Sequence, residues 1–405
     1  MFCAFFVVLS PLPVLAAPVV IVVPDDYASI QEAINHSWVG DTVFVKSGVY
    51  TENVVVDKDD LKLIGESKET TIIDGDGLGI VVYVEANNSE ISNFTLQNSG
   101  SSLVDSGVYL NNSCNVLVSD NKLRENHLGI YVSSSSNCVL RNNNLTQNQY
   151  NFGLSGSSLQ EFIHDVDVSN LVNGKPVFYY VNESNKQTPA DAGYVAFINS
   201  TNVTVENLNL TNNWQSILLA YTTDSQVRTS TLSSNMDALW LIDCLNCSVY
   251  ENNVQNNDWG GVAIVNSRFC KLESNDIAGN TGYGVFLSDS SDNVLYHNNF
   301  NNTNQVWLFG FNSNSWDLGD QIGGNYWSDY NGEDVNGDGI GDLPYVIASG
   351  NEDFFPLMQP YVSSEEPSTD FVLFVLIGIV ILVAVAIFFL FFLKPKKRGV
   401  NSEVS

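Results

Sequence analysis

Apolar residues recur down the middle of the chain at a pitch of 22 to 23. Leu123, Leu145, Leu210, Leu232, Val254, Ile277 and Phe300 stand 22, 65, 22, 22, 23 and 23 residues apart, and 65 is close to three pitches. Five places before each lies an aliphatic residue: Val118, Leu140, Val205, Val227, Val249, Leu272 and Leu295. Inward and outward positions alternate over three or four residues around them, which is strand periodicity, and the Asn-rich stretches between read as turns. So short a unit buries its apolar face only by stacking on its neighbours. About 22 residues hold roughly three short strands with their corners, and a leucine-rich horseshoe would need a helix and an LxxLxL pattern instead. The pattern predicts an all-β chain folded as a right-handed parallel β-helix, a solenoid of ~22–23-residue rungs.

Polar positions keep the same beat. Three residues after each ladder aliphatic come Asn126, Asn148, Asn213, Asn235, Asn257 and Asn280, with Thr303 breaking the series. Two residues before come Asn121, Asn143, Asn252, Asn275 and Asn298, interrupted by Leu208 and Ser230. Asparagine tolerates the left-handed geometry of a sharp corner, and its amide can bond the equivalent residue of the next rung. These residues are expected to be structural.

An open solenoid end is an edge that recruits other strands, so both ends need caps. Ser29-Ile30-Gln31-Glu32 is a capping-box pattern that opens a short amphipathic helix through Ile30, Ala33 and Ile34, placed to plug the N-terminal end. The organisation expected is a signal peptide at 1–17, an N-terminal cap and first rungs at 18–86, and a β-helix at 87–310 with an insertion at 155–197. There follow a C-terminal cap with an EF-hand-like loop at 311–362, a stalk at 363–370, a transmembrane helix at 371–393 and a tail at 394–405. The run 371–393 is 23 apolar residues without a charge, long enough to span a bilayer, and Lys394, Lys396, Lys397 and Arg398 place the tail in the cytoplasm. The solenoid is then extracellular. Eleven Asn-x-Ser/Thr sequons, at Asn35, Asn87, Asn93, Asn111, Asn144, Asn182, Asn199, Asn202, Asn209, Asn246 and Asn301, agree with that compartment.

Forty-five acids against 16 bases give a formal charge of −29, which argues against a nucleic-acid partner and for cations. Beyond the signal stand five cysteines, Cys114, Cys138, Cys244, Cys247 and Cys270, an odd number. They read as buried thiols packing as small apolar groups, with a Cys247–Cys270 or Cys244–Cys247 disulfide as the alternative. No histidine pair is spaced to complete a zinc site.

The segments DDYASIQEAIN, GDTVFVKSGVYTENVVV, LKLIGE and TIIDGDG resemble the opening of NosD-type and related pectin-lyase-like β-helix proteins. GGNYWSDYNGEDVNGDGIGDLPYVI is similar to the closing segment of archaeal NosD-like surface proteins. VSNLVNGKPVFYYVNES and TPADAGYVAFINSTNVTVENLNLTNN match the same group, and the resemblance spans about residues 23 to 360. It implies a β-helix shared with carbohydrate-binding and sugar-hydrolase domains. It also implies the role for which the family is named, assembly of the copper centre of nitrous oxide reductase. Three methionines and four histidines offer no soft-ligand cluster, so copper is not expected.

Asp334, Asn336, Asp338 and Asp342 fall at positions 1, 3, 5 and 9 of an EF-hand-like loop, with Gly339 at 6 and the Ile340 carbonyl at 7. They point to structural Ca²⁺ that pins the C-terminal cap, or else to a plain Asp/Asn/Gly turn. Tyr345 replaces the bidentate Glu at position 12, which weakens binding unless Glu352 or Asp353 folds in.

For sugar chemistry the outward stripe four places before each ladder residue contains Ser119, Arg141, Glu206, Arg228, Tyr250, Glu273 and Tyr296. Rings and guanidinium groups about one rung apart suit an extended polysaccharide, and a solvated surface is the plainer reading. A second outward line, Tyr131, Leu218, Trp240 and Phe286, is apolar, either a sugar platform or a face that the insertion or a partner covers. As catalytic candidates, Arg141 suits a lyase, and Glu206 with Glu273 suits a hydrolase. Asp237, Asp243 and Asp258 read as turn residues that could also serve. The sequence thus supports a membrane-anchored extracellular protein that binds carbohydrate or forms part of the envelope. A polysaccharide lyase, epimerase or hydrolase is the alternative, and a copper-centre assembly factor the remote one.

Overall fold

The computed structural model describes residues 17–362. The expected transmembrane helix 371–393, the stalk, the tail and all but Ala17 of the signal peptide lie outside the described residues, among which no helix is long and apolar enough to cross a membrane. The chain is an all-β parallel solenoid of the right-handed β-helix type with about 13 turns. Every expected ladder residue points inward. Leu123, Leu145, Leu210, Leu232, Val254, Ile277 and Phe300 are all buried, as are the seven aliphatics five places before them. Burial of each such side chain contributes about 1.5–3 kcal/mol.

The corners explain why asparagine recurs. Asn275 Nδ2 donates to Asn298 Oδ1 (2.9 Å) and to the Val249 carbonyl (2.9 Å), while Asn275 Oδ1 accepts from Asn252 N and Nδ2 (3.0 Å each). Each amide therefore satisfies backbone groups in two rungs that the buried bend would strand. The ladder asparagines do not themselves take left-handed geometry. The residue just before each one does: Asp120, Asn142, Glu251, Ser274 and His297 have φ of 54–58°. Ser230 substitutes its hydroxyl in the row, accepting from Leu208 N (3.2 Å). The other series does not break at Thr303, because Asn302 moves into the place and accepts from Asn280 (3.1 Å).

The interval of 65 residues hides a discontinuity. Leu145 stacks on Val172, not on an equivalent of Leu210. The chain then reverses in a hairpin at Asn173-Gly174, with Leu171–Val172 antiparallel to Pro176–Lys175. It resumes with Lys175–Val181 and Tyr194–Ile198, which begin a second run of long parallel strands: Gln215–Ala220, Asp237–Ile242, Gly260–Val265, Tyr283–Ser288 and Val306–Phe309. The segment 155–197 is therefore a joint between two stacks of rungs, and it supplies rungs to both. Inward residues of the second run, such as Phe197, Leu219 and Leu241, share one core, whereas the outward residues Tyr179, Tyr194, Ala196, Ile198, Leu218 and Ala220 are buried in the core of the first stack. The second stack's sheet thus covers the end of the first.

Both ends are closed as chemistry requires. Helix Ile30–His36 buries Ile30, Ala33 and Ile34, and Ser29 Oγ accepts from Glu32 N (3.2 Å). The reciprocal half of the expected capping box is replaced: Glu52 accepts from Ile30 N (2.9 Å) and Gln31 N (3.0 Å). At the other end Asp353 terminates the asparagine row, accepting from Asn325 N (2.7 Å) and Trp327 Nε1 (2.9 Å). Trp327 is sandwiched between Phe300 (4.5 Å) and Tyr345 (4.2 Å).

Candidate functional site

Where the two stacks meet, the long-strand sheet of the second forms the wall of a cleft of about 410 Å³. Strand register places Leu218, Trp240, Ala263, Phe286 and Trp307 in one outward row. Leu218, nearest the joint, is fully buried, whereas Trp307 at the far end is 46% exposed. Trp214 and Trp259 complete the aromatic lining, with Trp259 edge-on to Trp307 at 6.3 Å and Phe286 at 5.4 Å from the same ring. Of the expected apolar line, Tyr131 belongs to the first stack and reaches the region by packing on Trp214 at 5.1 Å. The Tyr150 hydroxyl donates to Asp258 (2.7 Å) and so ties the stacks across this corner.

A second row, Gln215, Asp237, Gly260 and Tyr283, forms the floor. Tyr283 reaches over the intervening rung to donate its hydroxyl to Asp237 Oδ1 (2.7 Å). Only glycine permits that reach, since a Cβ at position 260 would sit 2.1 Å from the Tyr283 ring and 2.4 Å from the Asp237 carboxyl. Burial pushes the Asp237 carboxyl up to about 6, opposed by bonds from Tyr283, by the nearby Trp240 indole and by Gly260 N–H. Burial and the facing carboxylate hold the Tyr283 hydroxyl protonated, so it remains a donor. The indole N–H groups of Trp214 and Trp240 are buried without a hydrogen bond of full geometry, that of Trp240 lying beside Asp237. Among the described residues no lysine or arginine lines the cleft.

The charged stripe comes apart into two places. Glu206, Arg228, Tyr250, Glu273 and Tyr296 do share one register row on a different sheet of the second stack. Ser119 and Arg141 lie in the first stack, where Arg141 pairs with Asp165 and with Asp167 (3.2 Å). Within the row, Arg228 pairs with Glu206 (2.5 Å), and Tyr250 donates to Gln226 (2.8 Å). Burial and Glu273 hold the Tyr296 hydroxyl protonated. Glu206 and Glu273 are three rungs apart, roughly 14 Å at the usual strand spacing, so they cannot act as the paired carboxylates of a hydrolase.

Loop 334–342 is exposed, and its acids serve its own backbone. Asp334 accepts from Gly337 N (2.7 Å) and Gly339 N (2.9 Å), Asp338 from Ile340 N (2.9 Å), and Asp342 from Val335 N (2.7 Å). Asp353 does not complete position 12, because it is committed to the asparagine row, and Tyr345, which stands at that position, donates to Asp329 (3.2 Å). Among the described residues no three His, Cys, Asp or Glu are gathered for a metal ion.

The five cysteines among the described residues are free thiols, so neither alternative disulfide forms. They occupy corner positions that serine, threonine or asparagine fill in other rungs: Cys244 Sγ donates to the Leu219 carbonyl (3.3 Å) as Thr222 Oγ1 does to Phe197 (3.0 Å). Burial pushes the Cys138 thiol up to about 11, and neighbouring thiols with burial raise Cys247 and Cys270 further. Buried His164 accepts from Cys138 N (3.3 Å), and desolvation lowers it to about 4.

Trp259 and Trp307 carry no signal in the ladder pattern, and Asp237, which the sequence offers as a turn residue that could also serve in catalysis, begins the strand Asp237–Ile242. A signal for the floor was available, because Asp237, Gly260 and Tyr283 all stand five or six places after a ladder aliphatic.

The family model described as periplasmic copper-binding protein (NosD) matches residues 34–188 and again 167–332. No curated protein matches. Solved structures of similar shape include a DFA-IIIase from Arthrobacter chlorophenolicus A6 (12% identity, 77% of this chain and 94% of that one, TM-score 0.40). Others are an alginate lyase from Paenibacillus sp. (11%, 72% and 98%, 0.35) and the A-module of the mannuronan C-5 epimerase AlgE6 of Azotobacter vinelandii (17%, 71% and 92%, 0.32).

Proposed function

The chain belongs to the NosD family, and from that premise we propose that it is a cell-surface β-helix protein that binds carbohydrate in the aromatic cleft between its two stacks. The observation that carries this reading is the row Trp240, Phe286 and Trp307 beside Trp259, with Asp237 and Tyr283 at its floor. Flat rings offer apolar area and a few polar groups fix orientation, the division of labour of a ligand pocket. The charged row supports the reading less, since its members already bond one another.

Anchoring through 371–393, with the solenoid outside, belongs to the same proposal. It rests on the charge-free run followed by basic residues, and the eleven sequon asparagines, none of them buried, are compatible with it. Ca²⁺ at loop 334–342 is a separate proposal: the oxygen donors are of the right kind, and binding requires them to leave the backbone N–H groups they now accept from. Millimolar Ca²⁺ should raise the melting temperature of the wild type but not of Asp334→Asn/Asp338→Asn. Copper is not proposed. Met236 lines the cleft, Met358 lies in the cap, His36, His127, His164 and His297 are dispersed, and the buried thiols of Cys138, Cys247 and Cys270 hold their protons too firmly to act as soft ligands.

The test is retention of the full-length chain on a glycan array, with Trp307→Ala/Trp259→Ala as the comparison. Loss of retention in the variant supports the reading, and equal retention removes the cleft from it. One observation favours a catalytic second reading: a buried carboxyl poised near 6 suits a general acid. Release of reducing or unsaturated ends, abolished in Asp237→Asn, would establish it.

A further inference from the structure

The cleft's lining also bears on which class of glycan it takes. A polyuronate brings one carboxylate per sugar, and proteins meet such groups with arginine, lysine or a bound cation. Here no base lines the cleft among the described residues, and Arg228 of the same stack is already paired with Glu206 on another sheet. The ionisable groups that face the floor are Asp237 itself, Tyr283 and, at the corner where the stacks meet, Tyr150 of the first stack with its partner Asp258 of the second. Two of these are acids, and neither hydroxyl gives up its proton near neutrality, so the local field is negative or neutral.

A uronate carboxylate entering here would lose water without gaining a cation. A purely apolar ligand would bring nothing to hydrogen-bond the Asp237–Tyr283 pair at the floor, and neither would a quaternary ammonium, which has no N–H or O–H. A sugar hydroxyl can donate to the Asp237 carboxyl when it is ionised and accept from it when it is protonated. The rungs step by about 4.8 Å, so Trp240, Phe286 and Trp307, the last two edge to face, form a stepped aromatic wall along which successive sugars can lie.

We infer that the cleft is a site for an uncharged pyranose chain and discriminates against polyuronates. This deepens the carbohydrate reading and depends on it. Binding of the full-length chain is measured by tryptophan fluorescence and by calorimetry with two probe sets. Cellohexaose, mannohexaose and N-acetylchitohexaose are neutral; hexamannuronate and hexagalacturonate are anionic. Trp307, half exposed, can be removed with the fold intact, as circular dichroism will verify.

The expected result is binding of at least one neutral probe, weakened at least about tenfold by Trp307→Ala, with uronates at least about tenfold weaker. Asp237→Asn, which keeps the shape and removes the charge, should narrow that gap. Uronates that bind as tightly as neutral probes, with the same sensitivity to Trp307→Ala, overturn the inference while leaving carbohydrate binding standing. Failure of every sugar to bind, or binding indifferent to Trp307→Ala and Trp259→Ala, sinks both. Tetramethylammonium bound in a Trp307-dependent manner without any sugar would sink both as well.

Discussion

Two outward rows run along the second stack, and they differ in what they leave undone. The row Glu206, Arg228, Tyr250, Glu273 and Tyr296 has polar heads that find one another or a neighbour: Glu206 with Arg228, Tyr250 with Gln226, Tyr296 with Glu273. The row Leu218, Trp240, Ala263, Phe286 and Trp307 runs from a fully buried Leu218 at the joint to a half-exposed Trp307 and carries almost no polar heads. Polar residues look more chemical in a sequence, yet a row whose charged and hydroxyl heads mostly pair with one another or with a neighbour has little left to offer a ligand. A stepped aromatic wall with one carboxyl at its floor offers apolar area with a polar group beside it.

The strongest test of this contrast is Gly260→Val. The new side chain would collide with Tyr283 and Asp237, and overpacking of this kind costs about 3 kcal/mol, read as a drop in denaturation midpoint together with loss of glycan binding. An equivalent insult on the charged row, Tyr250→Phe, should leave both unchanged.

Next comes pH. The Asp237 carboxyl is raised to about 6 from an ordinary 3.8, so its contribution to stability is whole below 3.8 and is lost as pH rises through 6. The difference in unfolding free energy between Asp237→Asn and wild type should therefore shift by up to about 3 kcal/mol in favour of the variant from pH 4 to 7.5. Taking the difference cancels Asp353, raised in the same window, and His164, lowered to about 4, whose contribution is present above 6.5 and lost as pH falls. A flat difference would mean that Asp237 is not held neutral by its site.

Smaller again is Trp307→Ala, expected to weaken glycan binding about tenfold, or about 1.4 kcal/mol, while shifting stability little because the ring is half exposed. The smallest effect belongs to Arg228→Met. Its ion pair with Glu206 is partly solvated and should contribute at most about 1 kcal/mol to stability and nothing to binding. If this substitution abolished binding while Trp307→Ala spared it, the roles of the two rows would be exchanged.

Much of the solenoid was legible because its determinants are periodic. Leu123 to Phe300, Asn121 to Asn298, and the helix at Ile30 each announce a local preference and a repeat, and stacking satisfies all of them together. The candidate site was legible only in part. Trp240 and Phe286 stood out as apolar residues on an outward line, but Trp259 and Trp307 did not, and Arg141 was grouped with residues it never meets.

By itself, the sequence determined the rung, since a period of 22 to 23 with aliphatic and asparagine rows has one way to bury its core. Only the tertiary structure decided where the series of rungs is broken. The Asn173-Gly174 hairpin turns what counts as three pitches into a joint between two stacks. That joint buries one end of an outward row, opens the other, and brings Asp237, Gly260 and Tyr283 under a shared aromatic wall. Periodicity carries no information about such an event, because contacts between stacks depend on surfaces that lie far apart along the chain.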